Sequence, residues 1–462
     1  MEPPRSFEHT PALPAERIPA PVREAALSLA ADTGAGYVYD PSLAADRART
    51  LREALPAWAR VYFAVKANGF EPVLAHLAEA VDGFEAASLR EARAAVAALR
   101  LPGEGSGSGR RIAVSGPGKT PEMLAGLARL SADLGPGSGT GSGTGADTPP
   151  VTGPTTAPGE PTGRTGSVAA VVVNAESVLE LHRISAAACA AGTVLTVALR
   201  VNPERVPVSG ALVMGGTPGP FGVPEPLVDE AVRTALALPG VDLAGFHVHA
   251  VSGNTDADAH ARYVRWCLEW SRRTADEHGV DLRLVDVGGG LGVPFEGGPG
   301  FDLERLGSAL AELPDPGVEV VFEPGRWIAA PAGWYATRVT DVKSAYGGCF
   351  AVVRGGINHF QLPTSWEIRH NFAVLEGGPW PEGTPRPGAS GESVTVCGEL
   401  CTPEDVLARD VRVESLRAGD VLVFPNAGAY GHEFAMPAFL AHPAAPRATV
   451  DSLWAGSPTC TP

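Results

Sequence analysis

The chain lacks the features that would place it in a membrane, on nucleic acid or outside the cell. No apolar stretch runs uninterrupted for the ~20 residues that a bilayer-spanning helix needs. There is no Lys/Arg block and no interleaving of basic with aromatic residues. With 36 Lys+Arg against 52 Asp+Glu, the net charge of −16 opposes binding to a phosphate backbone. The expected partners therefore include neither nucleic acid nor membrane. Cysteine is sparse: Cys189, Cys267, Cys349, Cys397, Cys401 and Cys460 are scattered without a C-x-x-C pair, so neither a disulfide framework nor a metal site is expected. The first residues, Met1 to Arg23, have no basic start and no apolar block of the secretory kind, and the cytoplasm is the expected compartment.

What the chain does contain is alternation. Apolar, β-rich runs ending in polar or Gly-rich residues fall at Val61–Asn68, Gly83–Ser88, Arg111–Pro117, Ala169–Ala175, Leu195–Asn202, Leu243–Ala250, Leu282–Gly290 and Glu319–Gly325. Between them lie helical-period segments, such as Glu71–Val81, Leu89–Leu99, Thr120–Leu134, Ser177–Ala191 and Asp256–His278. Ser88 stands three residues before Glu91, a capping-box spacing. Eight βα units predict a (β/α)8 TIM barrel.

After Gly325 the strands follow one another without helices, at Trp334–Ser344, Cys349–Gly355, Ser393–Gly398, Val411–Ser415 and Asp420–Pro425, which predicts an all-β second domain. The expected division is a flexible N-terminal segment over 1–35, a strand and helix over 36–57 packing with the C-terminal domain, a barrel over 58–328 and a β domain over 329–462. Residues 135–166, nearly all Gly, Ser, Thr and Pro, read as a disordered insertion.

In such a barrel the chemistry sits where strands end. Lys66 ends the first strand, where burial can lower an ammonium's pKa far enough for it to attack a carbonyl; the plainer reading is a snorkelling or paired lysine. Arg200 lies on the fifth strand, and His247 and His249 on the sixth. Gly288-Gly289-Gly290 follows the seventh and can bring bare backbone N–H groups to an anion, or be only a tight turn. The eighth ends in Glu323-Pro324-Gly325-Arg326. A lysine, a phosphate cradle and a carboxylate are what pyridoxal 5'-phosphate requires, and an anion at the pyridine nitrogen favours decarboxylation.

The motifs AVKAN (64–68), GPGKT (116–120), LRVNP (199–203), GFHVH (245–249), DVGGGLG (286–292), EPGR (323–326), CGELCTPEDVLA (397–408) and FPNAGAYG (424–431) resemble the fold-type III pyridoxal-phosphate decarboxylases, a group that includes ornithine and diaminopimelate decarboxylases. The resemblance implies an alanine-racemase-like barrel followed by a C-terminal β-barrel domain. It implies Lys66 as the Schiff-base lysine, His247 stacked on the cofactor ring and Glu323 at the pyridine nitrogen. Gly288, Gly289, Gly290, Gly325, Arg326 and Tyr430 are implied around the phosphate, with Ser252 as a further phosphate ligand and Glu85 and Arg200 near the lysine. It further implies a homodimer in which Cys401 and Tyr430 reach the neighbouring subunit's site and Cys401 protonates the carbanion left by CO2.

The familiar members place an acid directly after this cysteine, where Thr402 stands here. The HxHxxS stretch at 247–252, GGINHF at 355–360 and CTPEDVLA are more similar to the subgroup that decarboxylates conjugated amino acids in siderophore assembly of the staphyloferrin B type. His249, His359 and Thr402 are then candidate substrate contacts, with Arg369 and His370 as further cationic sources. The alternatives are decarboxylation of free diaminopimelate or ornithine, a racemase on the same fold, or a catalytically dead binding homologue.

Overall fold

The computed structural model of the protein describes residues 10–100, 111–134, 171–208, 212–213, 215–295 and 297–451. The 135–166 insertion lies outside them.

Eight parallel strands, Ala59–Ala64, Gly83–Ala86, Arg111–Val114, Val171–Ala175, Leu195–Asn202, Val241–His247, Leu284–Asp286 and Glu319–Phe322, pair in chain order. The last returns to the first through Val320↔Ala59 and Phe322↔Val61, which closes the barrel. Six of the eight strands stop short of the polar or Gly-rich end of their predicted run, because those end residues turn over the rim instead of extending the ladder; the fourth and fifth run to their predicted ends at Ala175 and Asn202.

Helix starts are set by side-chain caps. Ser88 accepts the Glu91 N–H at 3.2 Å while Glu91 reaches back to the Ala87 N–H at 2.6 Å. Ser177, Asp256 and Asp302 cap three further helices in the same way. These caps fix where each helix leaves the barrel rim, and so where the preceding strand end is held.

The N-terminal region departs from expectation. Residues 10–35 are not a flexible segment: Thr10–Pro11 pairs with Val411 and Arg412, and Ala20–Thr33 is a helix. Its Val22, Ala25, Ala26, Leu29 and Ala30, spaced i, i+3, i+4, i+7 and i+8, are buried with Ile18, Trp334 and Val421. Alanines on its other faces hide that stripe from a reading of composition. Within 36–57 the strand and helix part company. Ala35–Tyr39 joins the β domain, whereas the helix Pro41–Ala54 packs on the barrel between Glu71–Leu77 and Leu303–Ala311. There it covers the gap that a helix after the eighth strand would otherwise fill.

The C-terminal domain is a curled, mixed nine-stranded sheet built on the long strand Gly333–Ala345. That strand pairs with Ala35–Tyr39 and Val421–Phe424 along its first half and with Gly348–Val353 along its second. Ala373–Leu375 and Arg447–Thr449 are short additional strands that the sequence did not announce.

Candidate active site

Lys66 lies in a short turn, Val65–Ala67, directly after the first barrel strand. Its Nζ is 2.9 Å from Glu85 Oε2 on the neighbouring strand, with 39% of the lysine side chain accessible and Glu85 enclosed at 0%. The expected lowering of the Lys66 pKa is corrected here. Burial works against its charge, but Glu85 and Glu323 more than offset that effect and hold the ammonium above its ordinary range. Glu85 is itself pushed up by burial, against the pull of Lys66.

Three buried groups converge at the ends of the sixth, seventh and eighth strands. Among the described residues, only His247, Asp286 and Glu323 form a metal-like constellation, each offering an atom within 4.8 Å of the others. His247 Nε2 is 3.6 Å from Glu323 Oε2. Burial alone would raise the Glu323 carboxyl, yet His247 and Lys66 hold it down to about 2. Asp286 moves the other way, raised by burial and by Glu323, so it carries the proton of the acid pair. Asp286 also accepts the Gly288 N–H at 2.8 Å, tying the acid pair to the glycine turn.

That turn has no room for side chains. Gly288 and Gly290 have φ of +67° and +100°, and a Cβ on Gly289 would stand 2.3 Å from the Glu323 carbonyl oxygen. The Gly289 N–H donates to His249 Nδ1 at 3.1 Å. His249 is neutral, its pKa lowered by burial and by the Lys66 and Arg200 charges. Val251–Ser252 packs beside the turn, where the Asn254 N–H donates to the Gly290 carbonyl at 2.9 Å. Ser252 stands between Val251 and Asn254, the two residues whose backbone meets Gly290.

Arg200 is buried and its Nη1 donates to Glu176 Oε1 at 2.8 Å. Glu176 also accepts the N–H groups of Gly116 and Gly222 at 2.8 and 3.0 Å, so one carboxylate joins three strand ends. The Arg326 guanidinium is buried and its Nε has no partner. Tyr430 sits on its own chain's lysine turn: its N–H donates to the Ala67 carbonyl at 2.7 Å, and Asn68 Nδ2 donates to the Gly428 carbonyl at 2.8 Å. Its hydroxyl is 3.3 Å from where a Cβ on Gly325 would stand. The expectation that Tyr430 reaches the neighbouring subunit is therefore corrected; the 426–431 loop closes the site of the chain that carries it.

Cys401 is exposed, and no hydrogen bond or ion pair among the described residues connects its turn to Lys66. Asp405 holds that turn, accepting the N–H groups of Leu400 at 2.7 Å and Ile357 at 2.8 Å. Gly398 and Gly356 leave room for it, since a Cβ on either would stand 2.2 Å from the Asp405 carboxylate. Thr402 donates its hydroxyl to Glu404.

His359 is also corrected, from substrate contact to structural residue. Its Nε2 donates to the Pro443 carbonyl at 2.8 Å, its Nδ1 is 3.3 Å from the Tyr335 hydroxyl, and Tyr37 donates to its carbonyl. His370 is spent on packing, 4.5 Å from the Phe360 ring, and burial lowers its pKa to about 4. Sequence reasoning overlooked Asp286, Glu176, Asp405 and Trp366. The first two stand at barrel-strand ends, a signal that could have found them; Trp366 stands in an irregular loop and gave none.

The model of the pyridoxal-dependent decarboxylase family, C-terminal sheet domain, matches residues 36–428. The chain is 31% identical to 2-[(L-alanin-3-ylcarbamoyl)methyl]-2-hydroxybutanedioate decarboxylase of Staphylococcus aureus, over 88% of this chain and 92% of that one. It is 32% identical to L-glutamyl-[BtrI acyl-carrier protein] decarboxylase of Niallia circulans, over 58% of this chain and 64% of that one. The fold superposes on a diaminopimelate decarboxylase of Helicobacter pylori solved with L-lysine, with a TM-score of 0.70 at 22% identity, covering 91% of this chain and 96% of that one. The barrel, the sheet domain and the motifs at the strand ends thus lead to one conclusion: the chain belongs to the pyridoxal-dependent decarboxylases.

Proposed function

We propose that the protein binds pyridoxal 5'-phosphate and decarboxylates an L-amino acid conjugated to citrate or a carrier, in siderophore assembly or other secondary metabolism. The observation that carries the cofactor reading is Lys66 ion-paired to Glu85 at the mouth of a closed barrel, with Glu323 ionised in the same site. The residues present fit the group: a bare glycine turn and the unpartnered Nε of Arg326 offer donors to a phosphate, and Tyr430 stands beside them. When bound, pyridoxal phosphate supplies an electron-accepting ring that takes the electron pair left behind as CO2 departs.

The chain's own residues do the rest. Lys66 provides the amine that holds the cofactor covalently, and Glu85 keeps that amine charged until it is needed. Glu323 offers a carboxylate to the pyridine nitrogen, and the protonated Asp286 keeps Glu323 ionised by donating to it. Ring stacking suits His249 better than His247: His249 is the more exposed of the two and bonds the glycine turn, whereas His247 is enclosed with Asp286 and Glu323. Arg200, fixed by Glu176, supplies a cation near the lysine, and Ser252 joins the phosphate ligands.

Cys401 serves a second copy of the chain. It is exposed on a turn pinned by Asp405, and Phe434, Met436, Phe439 and Leu440 form an exposed apolar run after Tyr430. A homodimer would cover that run and bring the thiol to the partner's site as the proton donor. The described cysteines are free thiols, which supports the cytoplasm as the compartment.

The substrate class follows from Thr402 and from the Staphylococcus aureus relative, whose name describes a substrate that joins a diamino acid to citrate through an amide. A distal amine needs an acid as its partner; a conjugate whose distal end is amide and carboxylate does not. CO2 release by cofactor-loaded protein, measured on free diamino acids and on their citryl conjugates with products identified by mass, tests this. Release from the conjugate alone supports the proposal, and release from free diaminopimelate or ornithine overturns it.

A further inference from the structure

Arg326 has an unusual surrounding for a buried cation. Its guanidinium carbon is 4.2 Å from the Trp366 ring centroid, 5.4 Å from that of Tyr430 and 5.8 Å from that of Phe295. No carboxylate among the described residues pairs with it. Aromatic faces desolvate and hold a guanidinium without neutralising it, and they leave its N–H edge free. A carboxylate in the same place would compete with an incoming anion.

Trp366 is the member of this box with no other evident task. It ends the turn Thr364–Trp366 in the loop between Phe360 and the strand Ala373–Leu375, followed by Glu367 with φ +52°. Its ring meets Tyr430 edge-on at 5.2 Å and 85°, and Phe434 at 5.4 Å and 78°. One indole therefore touches both the guanidinium and the phenol that face the phosphate position.

We infer that Trp366 is a positioning residue for the cofactor's phosphate, holding the Arg326 guanidinium and the Tyr430 phenol as a preset pair; this rests on the cofactor reading above. It contributes nothing to the hold on the ring or the aldehyde, which belongs to Lys66, Glu323 and His249. Its effect must then appear as discrimination between pyridoxal phosphate and pyridoxal, the same molecule without the phosphate.

The test is equilibrium dialysis of cofactor-free protein against each compound separately, for the wild type, Trp366→Ala and Trp366→Phe. Trp366→Ala is expected to weaken pyridoxal phosphate by on the order of tenfold, the scale of a desolvated cation–π contact, and to leave pyridoxal unchanged. Trp366→Phe, which keeps an aromatic face, is expected to restore most of the discrimination. Should Trp366→Ala not fold, Trp366→Leu keeps bulk without an aromatic face and is read in its place. An unchanged ratio, or equal weakening of both compounds, overturns the role of Trp366. Wild-type protein that binds neither compound overturns the cofactor reading itself, and the positioning role with it.

Discussion

Lys66 Nζ and Glu85 Oε2 meet at 2.9 Å, and the carboxylate side of the pair is wholly enclosed. A buried carboxylate beside a partly accessible lysine favours the ammonium, so Glu85 sets the pH at which the amine becomes free to react. Glu85→Gln removes that stabilisation, and Lys66 should then lose its proton at lower pH. Capture of pyridoxal phosphate by cofactor-free protein, fixed by borohydride and followed across pH, should shift its midpoint downward. Lys66→Ala should leave no fixed cofactor at any pH; fixation that survives in the variant would assign the covalent link elsewhere.

Glu323 supplies a pH-dependent share of stability. Its carboxyl is held to about 2 against an ordinary value of 4.5, so the favourable share is fully present above pH 4.5 and is lost as pH falls through 2. Urea unfolding of cofactor-free protein should show a difference in stability between Glu323→Gln and the wild type at pH 6. That gap should close toward pH 2, and a gap independent of pH would mean that packing, not charge, is responsible.

Asp405 holds two turns through two backbone N–H groups. Asp405→Ala leaves both donors buried without acceptors and should cost about 2–4 kcal/mol in urea unfolding. Turnover should fall as well, because the Cys401 turn loses its anchor. Asp405→Asn restores one acceptor and should recover part of both losses.

Shared sites predict complementation. Lys66→Ala and Cys401→Ala homodimers should each be impaired, whereas hybrids of the two contain one site with both residues intact. Mixed and verified hybrids should recover up to about half of the wild-type rate if sites act independently. No recovery would place Cys401 in the site of its own chain.

His359→Ala should act on stability and not on substrate. The ring bridges Tyr335 and the Pro443 carbonyl, so its loss should cost about 2 kcal/mol by leaving buried polar groups unpaired. KM should stay near the wild-type value. A large rise in KM with unchanged stability would return His359 to the substrate pocket.

The barrel was legible because each of its strands is buried on both faces, and a run such as Val171-Val172-Val173 admits few other readings. The cap at Ser88 marked a helix start from purely local residues. The N-terminal helix escaped notice since its buried stripe is mostly alanine, and alanine also stands on its exposed face at Ala20 and Ala31. Ala373–Leu375 is too short to show a period. At the site, position along the chain revealed which residues end strands, and so Lys66, Arg200 and Glu323. It could not reveal which of two histidines two residues apart faces the opening, nor that the Tyr430 loop folds back on its own barrel. Those outcomes depend on packing between segments far apart in the chain.

The pairing of Tyr37 with Arg447 and of Tyr39 with Thr449 has a consequence for how the molecule is made. The strand Ala35–Tyr39 emerges from the ribosome about 400 residues before the partner that completes its edge, a wait of tens of seconds at ~5–20 residues per second. The barrel strands, all of which lie between, can pair in order as they appear. Throughout that interval the nascent chain carries an apolar strand with an open edge, Tyr37, Val38 and Tyr39 among its residues. Protection of that edge during synthesis, by the neighbouring helix Ala20–Thr33 or by a chaperone, is therefore a condition for yield, separate from the stability of the finished fold.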